Sequence, residues 1–155
     1  MKKAVIAYFT RSGKSRQVAQ ELARITGGEL CQVKNREAYP EDYRSLVALV
    51  MDEEKRGVKR PLAPLGADFS ALDRLYIVSP NWFGTIVPPI KRLLEGLDLD
   101  GKEVALVITH GGSGCAKAPD DVRKLAPGAR FVGQLALNVD EGGVAGKLEN
   151  WTASL

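Results

Sequence analysis

The chain reads as an α/β protein: a three-layer α/β/α sandwich built on a five-stranded parallel sheet. Three observations predict it. Five short apolar runs recur along the sequence, each of strand length and too continuously apolar to have one face in water. Segments with apolar residues at helical spacing lie between them. The two kinds of segment alternate strictly, as parallel strands joined by helical crossovers require.

The elements follow in order. Ala4–Phe9 is the first strand. It hands over to the polar run Thr10-Arg11-Ser12-Gly13-Lys14-Ser15, and the spacing of Val18, Leu22 and Ile25 predicts a helix over Lys14–Ile25. Leu30–Val33 is the second strand. The next helix is read over Glu41–Lys55, with Tyr43, Val47 and Val50 on one face and Pro40 suited to its first turn. Arg56–Pro61 reads as an exposed connection. Leu75–Ser79 is the third strand, followed by a helix over Pro89–Leu97 carrying Ile90, Leu93, Leu94 and Leu97. Val104–Thr109, a short helix over Pro119–Leu125, and the strand Phe131–Leu137 come next. A last helix spans Gly143–Trp151, where Val144, Leu148 and Trp151 share a stripe.

Composition narrows the function. At 155 residues and 45% hydrophobic content, one domain over residues 1–155 is expected, with a core that buries about 68–70% of the unfolded surface. A net charge of +3 is too weak to argue for nucleic acid. No window reaches about 18 apolar residues, so no membrane span is expected, and Met1-Lys2-Lys3 does not lead into a secretory signal. Two cysteines do not make a disulfide framework. Cys31 reads as packed, Cys115 as a candidate exposed thiol, and reduced thiols point to a cytoplasmic protein. His110, the one histidine, has no companions for a metal site.

In a parallel sheet, ligands lie beyond the carboxyl ends of the strands where strand order reverses. Three loops there are unusual. Thr10–Ser15 joins a buried strand to a helix N-terminus, where free N–H groups and the dipole favour a phosphate; Thr10, Ser12 and Ser15 add hydroxyls, and Lys14 a cation. Gly13-Lys14-Ser15 is not the end of a nucleoside-triphosphate loop, because the required glycine five positions earlier is Tyr8. Pro80-Asn81-Trp82-Phe83-Gly84 sets two aromatics side by side, one of which suits the face of a planar ligand, with Gly84 allowing close backbone approach. Thr109-His110-Gly111-Gly112-Ser113-Gly114 offers unencumbered N–H groups to ring heteroatoms. A receiver domain is excluded, since Thr10 and Ser79-Pro80 stand where clustered aspartates are needed.

Taken in order, these loops resemble the flavodoxin-like family, over nearly the whole chain. Thr10–Ser15 is similar to its phosphate loop, T-x-[S/T]-G-[N/K]-[S/T]. Pro80–Gly84 is similar to the loop covering one flavin face, and Thr109–Gly114 to the loop along the pyrimidine edge. Ala38-Tyr39-Pro40-Glu41-Asp42-Tyr43 is similar to a short flavodoxin-like subfamily. The resemblance implies strand order 2-1-3-4-5 with FMN at the switch point, and electron transfer through the bound flavin to a redox partner protein. The alternative it implies is an FMN-dependent NAD(P)H:quinone-type oxidoreductase served by a nicotinamide cofactor. The three loops are then the cofactor contacts, with no catalytic side chain and no metal. The chain departs from acidic electron carriers in its positive charge, and it carries Phe83-Gly84-Thr85 where a Gly-Asp pair is common.

Overall fold

The computed structural model describes residues 2–155. Its strands are β1 (Ala4–Tyr8), β2 (Glu29–Gln32), β3 (Arg74–Pro80), β4 (Glu103–Thr109) and β5 (Arg130–Leu137). All pair in parallel, in the order β2-β1-β3-β4-β5. Every residue of β4 is buried, as is all of β3 but Pro80, so these strands carry apolar side chains on both faces. The outer strands β2 and β5 are the ones with exposed positions.

Strand periodicity divides the core in two. Val5, Ala7, Leu75, Ile77, Val104 and Leu106 point to one side and pack with Ile90, Leu93 and Leu94 of α3 (Pro88–Gly96) and Val122 of α4 (Ala118–Leu125). Ile6, Tyr8, Tyr76, Val78, Ala105 and Val107 point to the other. They meet Val18 and Leu22 of α1 (Lys14–Thr26) and Leu148 of α5 (Val144–Ala153). The register brings the loops after β1, β3 and β4 to one edge of the sheet, since Tyr8 sits beside Val78 and Pro80 beside Thr109.

The second helix differs from expectation. α2 spans Tyr43–Arg56, and Pro40 lies outside it. Asp42 caps it, its carboxylate accepting from the Ser45 N–H at 2.8 Å; a carboxylate cap satisfies a free backbone donor, which a first-turn proline does not. The buried face is Leu46, Val50 and Glu53, not the stripe through Tyr43, which is 68% exposed and lies under the Arg11 guanidinium. The connection after α2 is not wholly exposed either. Arg60 folds back on Glu53, Nε to Oε1 at 2.7 Å, and Leu62 bridges to Asn35 beside the end of β2.

Candidate functional site

At the carboxyl edge of the sheet, the first two loops and His110 and Gly111 of the third converge on a cleft of about 230 Å³. It is lined by Thr10, Arg11, Ser12, Lys14, Ser15, Pro80, Asn81, Trp82, Thr109, His110, Gly111 and Val139. Its floor is the start of α1. Gly13 is the N-cap, held in the left-handed region at φ 94°, with no side-chain cap. The first helical bond runs from Gln17 N–H to Gly13 C=O, so the N–H groups of Lys14, Ser15 and Arg16 have no acceptor within the helix. Thr10 Oγ1 accepts from Gly13 N–H at 2.9 Å, which fixes the loop and leaves the hydroxyl proton free to donate outward. Ser12 is exposed and makes no hydrogen bond among the described residues.

The chain matches the flavodoxin family model over residues 3–154. It belongs to the flavodoxin family. No protein of curated function matches it. Among solved structures it is similar to a flavoprotein in complex with FMN from Lactobacillus acidophilus NCFM. That match has TM-score 0.79 and 24% identity, covering 98% of this chain and 99% of that one. It is also similar to a protein from Bacteroides uniformis ATCC 8492 bearing a provisional flavoprotein name (TM-score 0.83, 22% identity, 98% of each chain). A Fusobacterium nucleatum flavodoxin bound to flavin mononucleotide is a more distant likeness (TM-score 0.57, 15% identity, 99% of this chain and 96% of that one). These likenesses establish the fold.

Within this flavodoxin fold, the predicted residues divide into those that face the cleft and those that shape it. Ser15 belongs to the second group. Its side chain is buried and shares a 2.9 Å hydrogen bond with the Thr109 hydroxyl, so the first and third loops are tied beneath the cleft and only the Ser15 N–H faces it. Asn81 is likewise committed. Its Oδ1 accepts from Gly84 N–H and its Nδ2 donates to Gly114 C=O, both at 2.9 Å, while its own N–H donates to Thr109 C=O. One side chain thus locks the second loop to the third.

The lock explains the turn beyond it. Trp82 and Thr85 exchange backbone hydrogen bonds of 3.0 and 3.1 Å around Phe83 (φ 57°) and Gly84 (φ 83°). Two left-handed residues in a two-residue loop make a type I′ turn. Gly84 is needed there for conformation, and its C=O accepts from Lys117 N–H at the entry to α4. The two aromatics separate accordingly. Trp82 is half-buried and lines the cleft, packed edge-on against Phe9 at 5.3 Å and tilted on Tyr39 at 5.7 Å. Phe83 is 56% exposed and faces a second groove with Met51 and Pro88.

In the third loop, no atom lies within 4 Å of where a Cβ would sit at Gly111, Gly112 or Gly114, and φ at Gly112 and Gly114 is positive. The loop is an open cradle. His110 folds back on it, Nδ1 accepting from Gly112 N–H at 2.9 Å. In neutral His110 that bond places the proton on Nε2, and it takes up one N–H of the loop. Cys115 follows, half-buried; burial pushes its thiol pKa up, which makes it a poor nucleophile at neutral pH. No group of three or more His, Cys, Asp or Glu suited to a metal occurs among the described residues, and no described helix is long and apolar enough to cross a membrane.

Two features escape a reading of the three loops. Lys14 is held by Asp140, Nζ to Oδ2 at 2.8 Å, in the short 3-10 helix Val139–Glu141 after β5, whose Val139 also lines the cleft. Tyr39 stands behind Trp82. The first was open to the rule that ligands sit beyond strand ends, because β5 ends at the same edge; the second depends on a tertiary contact with no local signature.

Proposed function

We propose that this protein holds FMN in the cleft and carries electrons through it. The observation that supports this most directly is the uncapped start of α1. The first turn of the helix brings together the unused N–H groups of Lys14, Ser15 and Arg16 and the positive end of the helix dipole, beside the Thr10 and Ser12 hydroxyls that line the cleft. Such donors suit a terminal phosphate. The adjoining walls suit a planar ring: Trp82 on one side, and on the other a glycine loop with no side chain in the way. The Lactobacillus and Fusobacterium proteins, which carry FMN in their structures, support the same reading.

FMN would supply the reversible redox chemistry. The protein's part is to bind, orient and exclude water. Thr10–Ser15 anchors the headgroup. The Asn81 bonds keep the two ring-facing loops from drifting apart, and the Ser15–Thr109 bond ties the third loop to the phosphate loop. Trp82, fixed by Phe9 and Tyr39, offers a rigid apolar surface of low dielectric, which disfavours added negative charge beside it.

The electron donor or acceptor on this reading is a redox partner protein. The net charge of +3 supports as a second reading a nicotinamide cofactor as donor, since a dinucleotide is an anion. The free thiols at Cys31 and Cys115 support a reducing compartment, the cytoplasm. The test is reconstitution. Purified protein mixed with FMN and desalted is expected to stay yellow and to quench flavin fluorescence, with riboflavin bound far more weakly because it lacks the phosphate. Equal affinity for riboflavin and FMN overturns the assignment of the phosphate site.

A further inference from the structure

A second cleft adjoins the first. It has a volume of about 540 Å³ and lies between the end of β1, the end of β2 and the loop leading to α2. It shares Thr10, Arg11 and Trp82 with the cofactor cleft, and the rest of its lining has no part in the function described above. A pocket of this size suits a ligand of one or two rings.

Its chemistry is specific. The inner wall is aromatic, formed by Phe9, Tyr39 and Trp82. Phe9 meets Tyr39 at 74° and Trp82 at 81°, and Tyr39 meets Trp82 at 59°. No pair is stacked in parallel, and Tyr39 and Trp82 are only half-buried, so their open surface is available to a further ring. Offset or edge-on packing on such a wall is the preferred geometry for an aromatic guest.

The rim is cationic. Arg11 and Lys34 both line it, and neither has a carboxylate within 4 Å among the described residues. The Arg11 guanidinium is held in place by one bond to the Glu41 C=O at 2.7 Å and by the Tyr43 ring at 5.7 Å, which leaves further N–H groups free. The Glu41 carboxyl lies on the same rim, and the Asp42 carboxylate that caps α2 acts on Arg11 through space, so Lys34 is the rim cation with no acid set against it.

We propose that this second cleft binds a planar aromatic carboxylate, its ring on Tyr39 and Trp82 and its carboxylate between Arg11 and Lys34. The assignment rests on the cofactor reading only for its purpose. With Trp82 as the common wall, such a ligand lies one indole away from the flavin.

The experiment uses 2-naphthoate as the probe, titrated into the full-length protein with and without FMN and followed by calorimetry and Trp fluorescence. Saturable one-to-one binding is expected in both forms, with affinities equal within about threefold. Lys34→Glu is expected to weaken the probe by about fivefold or more, because it sets a carboxylate against a carboxylate, while leaving FMN affinity unchanged. The neutral naphthalene-2-carboxamide is expected to bind more weakly than the acid. Three results overturn the proposal: no saturable binding, binding indifferent to Lys34→Glu, or expulsion of the probe by FMN. If the protein fails to bind FMN yet takes 2-naphthoate in a Lys34-dependent manner, the cofactor reading falls and the second site stands.

Discussion

The hydrogen bond between Ser15 and Thr109 can be tested as a pair. Both hydroxyls are almost fully sealed from water, at 2% and 5% exposure, and they meet at 2.9 Å. Ser15→Ala leaves the Thr109 oxygen buried with no partner, a loss of about 1–2 kcal/mol. For a chain of this length each kcal/mol moves the melting point by about 2–4 °C, so a fall of about 2–8 °C is expected. Thr109→Val keeps the shape and removes the other hydroxyl; Ser15 is the second residue of α1 with no helical turn before it to supply a carbonyl, so its hydroxyl is left buried without a partner and a similar loss of about 1–2 kcal/mol is expected. The double variant is expected to lose much less than the sum, because two apolar groups facing each other leave nothing unsatisfied. Urea unfolding of the four proteins without FMN measures the coupling, expected at about 1 kcal/mol. Additivity within about 0.3–0.5 kcal/mol would refute the bond. A second arm separates support from contact: since the Ser15 hydroxyl points into the core, Ser15→Ala is expected to change FMN affinity by no more than about threefold. A large loss of affinity without coupling would place that hydroxyl in the anion site instead.

Ser12→Asp sets a carboxylate beside the phosphate site, where nothing else engages Ser12; FMN affinity is expected to fall at least about thirtyfold with the far-ultraviolet circular dichroism unchanged. Gly84→Ala forces a side chain into the left-handed region at φ 83°, at a cost of about 1–2 kcal/mol, and is expected to lower both urea stability and FMN affinity, because the type I′ turn carries Trp82. At the opposite end of the sheet, Glu103 receives Lys2, Arg74 and Arg130. The Lys2 ammonium first, then the Arg74 guanidinium, bring its pKa down from 4.5 to about 2. A depressed folded-state pKa means that stability is complete above about pH 4.5 and drains away as pH falls toward 2. Glu103→Gln is therefore expected to cost about 1–3 kcal/mol at pH 7, less than the full shift because Lys2 and Arg130 are exposed, and to flatten the acid limb of the stability profile.

The fold was legible because its signal is redundant. Val104–Thr109 is apolar at almost every position, and only a strand buried on both faces accommodates that; five such runs with helices between them leave one kind of sheet. Helix boundaries fell within one residue at α1, read to Ile25 and ending at Thr26, and at α3, read from Pro89 and starting at Pro88, and failed at α2, where the Asp42 cap and not Pro40 sets the start. The same helix shows the limit of an apolar stripe as a guide to burial. Tyr43 has the right spacing for the core, but Leu46, Val50 and Glu53 form the buried face, and periodicity alone does not say which of two overlapping stripes turns inward. In the candidate site, residue types were legible and their bonding was not. Thr10, Ser12 and Ser15 look alike as hydroxyl donors in a sequence, yet one props the loop, one is free and one is tied to β4. Asn81 reads as a ligand contact and is a cross-brace, because its value lies in Gly84 and Gly114, the second of them 33 residues away. A binding loop needs donors that are free and a scaffold that holds them free. The first is local chemistry that a sequence displays, and the second is made of pairings between distant loops, which exist only once β3 and β4 lie side by side.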